Sequence, residues 1–189
     1  MSEKFDIDHN RLFGLLQEVL SQDLTQLKLD ANGGNSILFV YPNDEDSLYV
    51  AEAKRRFRKN AIFVDVAQTL TNFQEKMGIE KFKRIEKRMG NAVYFRKDPD
   101  GKPVEDTFFK FLTDRLALAA QQGYPVFLVG TSALANKGFS NIDIMELENV
   151  KSAPQPLVYF YPATIEGAKI YFLGDHNHVA SKYRCRVII

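Results

Sequence analysis

Apolar residues along this chain follow two rhythms. Four segments are mainly apolar runs of strand length: Ile37-Leu38-Phe39-Val40-Tyr41, Ala61-Ile62-Phe63-Val64-Asp65-Val66, Pro125-Val126-Phe127-Leu128-Val129-Gly130 and Pro156-Leu157-Val158-Tyr159-Phe160-Tyr161-Pro162. A strand that is apolar on both faces is buried on both, as in a parallel sheet covered by helices. Between these runs apolar residues recur at helical spacing. Leu12, Leu15, Leu16, Val19, Leu20 and Leu24 mark a helix from Asn10 to Lys28, with Asp8 in place to cap it. Asn43-Asp44-Glu45-Asp46 opens a second helix with acids where the helix dipole favours them. That helix closes on Lys54-Arg55-Arg56-Phe57-Arg58-Lys59.

Residues 69–89 read as one or two helices broken near Gly78, and Ala92-Val93-Tyr94-Phe95 as a short strand. A turn at Asp98-Pro99-Asp100-Gly101-Lys102-Pro103 leads to a helix from Glu105 to Gln122, ended by Gly123. Residues 168–173 and 183–189 read as two closing strands. Helices alternating with apolar strands predict an α/β fold: an open, mainly parallel sheet with helices on both faces, Rossmann-like or P-loop-like in topology. The expectation is a single domain over residues 1–189, with an N-terminal helix within residues 1–30 packing on the sheet and closing strands in 168–189.

Composition narrows the class. The chain is 45% hydrophobic and 26% charged, which suits a globular protein and excludes wholesale disorder. Its apolar runs fall far short of the ~20 residues of a membrane span. The start, Met-Ser-Glu-Lys-Phe-Asp, carries no apolar signal region, so the cytoplasm is the expected compartment. Cys185 is the single cysteine, which excludes an internal disulfide and a cysteine-based zinc site. No metal or cofactor is expected.

Ligands of open α/β sheets bind beyond the carboxyl ends of the strands. That rim would hold Tyr41, Asn43, Asp44, Asp65, Gly130, Thr131, Ser132, Tyr161, Pro162 and Thr164. A purely architectural reading has Asn43 and Asp44 cap a helix while the tyrosines complete the core. Nucleotide binding by a P-loop requires G-x-x-x-x-G-K-[ST], and the dinucleotide fold requires G-x-G-x-x-G. Neither occurs, and the turn after the first strand is Pro42-Asn43-Asp44-Glu45-Asp46, devoid of glycine and acidic enough to repel phosphate. Ser132, Asp143 and His176 stand in the order of an α/β-hydrolase triad, but Leu134 occupies the position where the nucleophile elbow needs glycine. His176 and His178 could share one side of an extended segment as metal ligands, without an evident third. The simpler reading is a polar turn.

The net charge of +1 is uneven, with basic residues concentrated between 54 and 97. Lys54, Arg55, Arg56, Arg58 and Lys59 form one run, and Lys83, Arg84, Lys87 and Arg88 belong to a second. They read either as solvated helix ends or as a nucleic-acid-binding face over residues 54–88, whose affinity would fall steeply with salt.

Several motifs in the C-terminal third carry a resemblance. They are Gly130-Thr131-Ser132-Ala133-Leu134 after a strand, Pro156-Leu157-Val158-Tyr159-Phe160-Tyr161-Pro162, a Glu166-Gly167 turn, Tyr171-Phe172-Leu173-Gly174, and the terminal Tyr183-Arg184-Cys185-Arg186-Val187. Over residues 125–189 the chain resembles the BrxB family of BREX bacteriophage-exclusion systems, which shows a similar Gly-x-Gly-Ala-Leu loop, a Leu-Phe-Tyr-Pro strand end and an Asp-Gly turn. Ser132 departs from the second loop glycine, and Ala163 from the glycine that often follows Tyr-Pro. The resemblance implies a nucleotide-binding-like sheet without its phosphate loop. It also implies a non-enzymatic accessory or adaptor role, with a protein partner such as the phosphatase-like PglZ component. Gly130, Thr131, Tyr161, Pro162 and Arg184 are then the expected recognition residues. The alternative is a nucleic-acid-binding accessory protein using the basic residues above.

Overall fold

The computed structural model describes residues 3–189, with side chains from Asp8 onward; Met1 and Ser2, with which the expected signal-free start opens, lie outside the described residues. The elements run α1 (Glu3–Ser21), α2 (Leu24–Asp30), β1 (Ser36–Pro42), α3 (Asp46–Phe57), β2 (Ile62–Asp65), α4 (Val66–Met77), α5 (Ile79–Met89), α6 (Phe108–Ala120), β3 (Val126–Val129), α7 (Asn141–Met145), α8 (Glu148–Lys151), β4 (Leu157–Glu166), β5 (Lys169–Phe172) and β6 (Cys185–Ile188). Short 3₁₀ turns cover Asn43–Glu45, Gly90–Val93 and Thr131–Leu134. No described helix is long and apolar enough to cross a membrane.

The α/β architecture is the one the apolar runs predict. One sheet has the order β2-β3-β4-β1-β6, all parallel, and β5 turns back antiparallel on the outer half of β4. Side chains alternate between the sheet's two faces, as strand geometry requires. Leu38, Val40, Leu128, Tyr159 and Tyr161 pack with α4 to α8, while Ile37, Phe39, Phe127, Val158 and Phe160 pack with α1, α2 and α3. The runs of β1, β3 and β4 are apolar because both faces are covered, whereas β2 at the sheet edge is only partly buried and ends in Asp65.

Local chemistry shifts several boundaries. The long N-terminal helix divides in two, because Asp23 accepts a bond from the Thr25 amide and caps a separate α2. Asp8 lies inside α1 and does not cap it. Val66 belongs to a helix and not to the second strand, since Asp65 caps α4 by accepting from the Gln68 amide at 3.2 Å. Ala92–Phe95 is not a strand: the 3₁₀ turn Gly90–Val93 occupies it, and Val93 and Tyr94 are buried in the helical layer. A run of four apolar residues has too little period to tell strand from turn. The sixth helix starts at Phe108, later than Glu105, because Asp106 is left-handed (φ 61°) and Thr107 caps the Lys110 amide. Helices α7 and α8 carry too few residues for a periodic signal and have no counterpart in the sequence reading.

At the amino end of the sheet, β1 and β6 converge so closely that a Cβ on Gly34 would stand 1.7 Å from the Arg184 carbonyl oxygen. Gly14 is the opposite case, sitting inside α1 with nothing within 4 Å of such an atom. Gly34→Ala should therefore cost more than about 2 kcal/mol in chemical denaturation. Gly14→Ala should stabilise by about 0.5–1 kcal/mol through helix propensity. An unchanged midpoint for Gly34→Ala would contradict the described packing.

Candidate functional site

The chain leaves β1 through α3 over one face of the sheet and leaves β4 over the other. The direction of winding thus reverses between these neighbours, and an open α/β sheet leaves a crevice at such a point. A cleft of about 390 Å³ lies there. Its walls come from the β1 exit (Tyr41, Pro42, Asn43, Asp44), the outer half of β4 (Ala163, Thr164, Ile165), α1 (Asp8, Arg11, Leu12) and Ile189. The Arg11 guanidinium donates to the Ile189 backbone oxygen at 2.9 Å, tying α1 to the end of β6 across the cleft.

Beneath the mouth the groups hold one another. Tyr41 is buried, donates its hydroxyl to Asp46 at 2.6 Å and stacks on Tyr49 with ring centroids 4.6 Å apart. Burial, then the Asp46 carboxylate, raise the Tyr41 pKa well above the usual phenol value. Burial, with Glu45 and Asp8 next, pushes Tyr49 up to about 12. Both phenols are neutral hydrogen-bond donors at physiological pH. Asp44 is exposed, and so are Ile165 and Ile189, at 47% and 50%. The mouth therefore offers apolar side chains beside the carboxylates of Asp8 and Asp44 and the exposed guanidinium of Arg11.

The other rim residues take different places. Asp65 and Gly130 meet at the ends of β2 and β3, where a Cβ on Gly130 (φ 63°) would come within 2.8 Å of the Asp65 carboxylate. Thr131 is buried and donates to the Phe160 carbonyl at 2.6 Å, joining β3 to β4. Ser132 is half-buried in the following 3₁₀ turn. Tyr161 is buried against Tyr159 and Phe172 in the α4–α8 layer, with its hydroxyl unpartnered and its pKa raised by burial. Pro162, paired with Tyr41 in the sheet, is interior as well. Arg184 requires a correction. It precedes β6 at the amino edge of the sheet, opposite the strand-end rim, and pairs with Glu146 at 3.4 Å.

Asp143 and His176, set aside with Ser132 as triad members because Leu134 takes the elbow position, have separate partners. Asp143 pairs with Lys97 at 2.6 Å and accepts the Ser140 amide, whereas His176 faces Glu166 and packs on Tyr171. His178 packs on a different ring, Phe172, so the two imidazoles serve separate aromatic contacts. Among the described residues no group of three or more His, Cys, Asp or Glu could hold a metal ion. Comparisons with protein-family models, curated proteins and solved structures return no match.

The two basic runs lie on opposite faces of the sheet, α3 on one and α5 on the other. Those on α3 are largely answered locally. Arg55 and Arg56 reach Glu52 at 2.7 and 2.5 Å, and Lys54 reaches Asp65 at 3.4 Å, while Arg58 and Lys59 are exposed. On α5, Lys83 pairs with Glu80, and Arg84, Lys87 and Arg88 are exposed without an ion pair among the described residues. Sequence reasoning missed Arg11 and Ile189 at the cleft. No local pattern could have found them, because chain reversals alone bring them beside Asn43.

The hydrogen bonds from Arg55, joined by the one from Arg56 and working against burial, lower the Glu52 pKa from 4.5 to about 2. A carboxylate more acidic in the folded state stabilises the fold above its unfolded pKa and loses that contribution as pH falls through its folded value. Stability should thus decline as pH drops from 4.5 towards 2, and Glu52→Gln should flatten that part of a pH series of thermal melts. High salt should weaken the effect, since Arg55 is exposed.

Proposed function

We propose that this protein is a non-enzymatic accessory protein that binds a protein partner through the cleft at the β1–β4 reversal, as a component of a phage-defence complex. The observation that carries this reading is the turn Asn43–Glu45. It stands where a phosphate-binding glycine loop would lie in a nucleotide-binding relative of this topology, and it presents Asp44 and Glu45 instead. Carboxylates at that position repel a triphosphate and attract cations. With Ile165 and Ile189 exposed beside them, the cleft suits an apolar segment flanked by basic residues, which is protein chemistry. The resemblance to the BrxB family supplies the setting, the cytoplasm, and a phosphatase-like defence protein as the partner class.

In this reading Tyr41 and Pro42 shape the cleft from below, Asn43, Asp44, Thr164 and Ile165 meet the partner, and Thr131, Tyr161 and Pro162 act only through the packing of β3 and β4. Tyr161→Ala would open a cavity in the core, so it is a poor probe of recognition. Asp44→Lys combined with Ile165→Asp changes exposed atoms and should leave the melting temperature nearly unchanged. The tagged protein, purified from its native cells, should bring down the product of a neighbouring gene. The double variant should retain about tenfold less of it. A purification that yields no protein partner, or equal retention by the variant, overturns the reading, as would tight binding of ATP or GTP beside Asn43. The alternative, nucleic-acid binding by the basic residues of α3 and α5, predicts steep loss of DNA or RNA affinity with salt. It has to engage two helices on opposite sides of the sheet.

A further inference from the structure

A second depression lies in the other layer, away from the cleft. It has a volume of about 550 Å³ and is enclosed by α4, α5 and α6. Its floor is apolar: Phe73, Met77, Ile85, Val93 and Phe111. Lys76 stands 5.3 Å over the Phe111 ring and closes one side. The rim is electrically lopsided. Lys81 and Arg88 from α5, with Arg96 beyond it, are exposed and make no ion pair with any described residue. Across the groove, Lys110 is held between Glu105 at 3.5 Å and Asp114 at 2.7 Å. Lys76 is exposed and also lacks an ion pair among the described residues, but it lies over the Phe111 ring, so the cations that point to no partner group are those on the α5 side.

Three cations without an ion pair among the described residues border a depression in which Met77, Ile85 and Phe111 are half-buried, while Phe73 and Val93 beneath them belong to the core. We propose that this groove is a docking surface for an acidic amphipathic helix of a partner protein. The apolar face of that helix covers Met77, Ile85 and Phe111, and its acidic flank lies along Lys81, Arg88 and Arg96. A helix fits because the groove runs between helices and has no open strand edge to extend. The α5 border, 11 residues long, spans roughly 16 Å, about three helical turns. Two methionines, Met77 and Met89, line the groove and supply a surface that adapts to an incoming side chain. Nucleic acid fits less well, because a phosphate backbone would use the cations, leave the floor uncovered and face the Glu105, Asp106 and Asp114 carboxylates. This surface belongs to a different layer from the strand-end cleft and stands or falls without it.

A display library of random peptides of about 16 residues, roughly four helical turns, panned against the intact protein is the test. Enriched peptides should carry apolar residues at i, i+3, i+4 and i+7 with Asp or Glu beside them. Their affinity, measured by fluorescence anisotropy, should fall at least about tenfold on Arg88→Glu with Arg96→Glu. These exposed changes should not alter the melting temperature. Replacing the peptide acids by Lys should restore part of the binding to that variant. Ile85→Asp should abolish binding as well, and the surface variant carries the test should Ile85→Asp fail to fold. Asp44→Lys with Ile165→Asp should leave peptide affinity unchanged, which separates this surface from the cleft. The proposal is overturned if no peptide is enriched, if enriched peptides are basic or lack the spacing, if the charge reversal leaves affinity intact, or if single-stranded or duplex DNA displaces the peptides from the groove.

Discussion

The pairing of β1 with β4 is the contact on which the rest of this molecule depends. The two strands run parallel over seven positions, from Ser36 opposite Leu157 to Pro42 opposite Ala163. Their side chains are buried on both faces along nearly the whole ladder, so this pair belongs to both hydrophobic layers at once. On the α1–α3 side, Phe39 and Phe160 lie 4.9 Å apart between Phe13 and Phe127 and knit those helices to the sheet. On the other side Tyr159 and Tyr161 continue the core towards the second helical layer. A slip of one residue would exchange every side chain between the layers, so this register governs all the packing around it.

The same pair determines where a ligand can approach. Because the chain turns opposite ways after β1 and after β4, the sheet opens between their carboxyl ends. The outer half of β4, held up by β5 from Ala163 to Glu166, forms a wall above that opening. The polar group under the opening is occupied, because Tyr41 is bound to Asp46. What remains at the mouth is the exposed Asp44 carboxylate, the exposed aliphatic side chains of Ile165 and Ile189, and the Arg11 guanidinium tied to the Ile189 backbone. That pattern suits recognition of another chain better than the binding of a polyanion.

The fold also redistributes the charge asymmetry of the sequence. The basic residues of α3 meet Glu52 and Asp65, and Glu52 in turn stands beside His9 of α1, so those cations help to join two helices. The cations of α5 meet few acids and stay at the surface. Two similar stretches of lysine and arginine therefore differ in placement: Lys54, Arg55 and Arg56 of the first meet Asp65 and Glu52, while Lys81 and Arg88 of the second border the groove.

The α/β class and the positions of the buried parallel strands were written in the sequence, because a strand covered on both faces must be apolar at every position and that signal is local. The acidic, glycine-free turn after β1 was legible for the same reason. The division of α1 from α2, the 3₁₀ turn at Gly90–Val93 and the short α7 and α8 were not. Single capping contacts and a few turns of chain carry no period to read, and α7 and α8 are held by distant partners. The Asn35 side chain donates to the Val150 and Ala153 carbonyls, and Asn141 exchanges hydrogen bonds with the Ser181 backbone. The candidate site was half legible. Strand-end chemistry pointed to Tyr41, Asn43, Asp44 and Thr164. Tertiary structure alone placed Arg11, Ile165 and Ile189 beside them, carried Arg184 to the far edge, and put the two basic helices on opposite faces. Proximity between residues far apart in the chain depends on strand order and crossover direction, and neither leaves a mark in the local pattern of side chains.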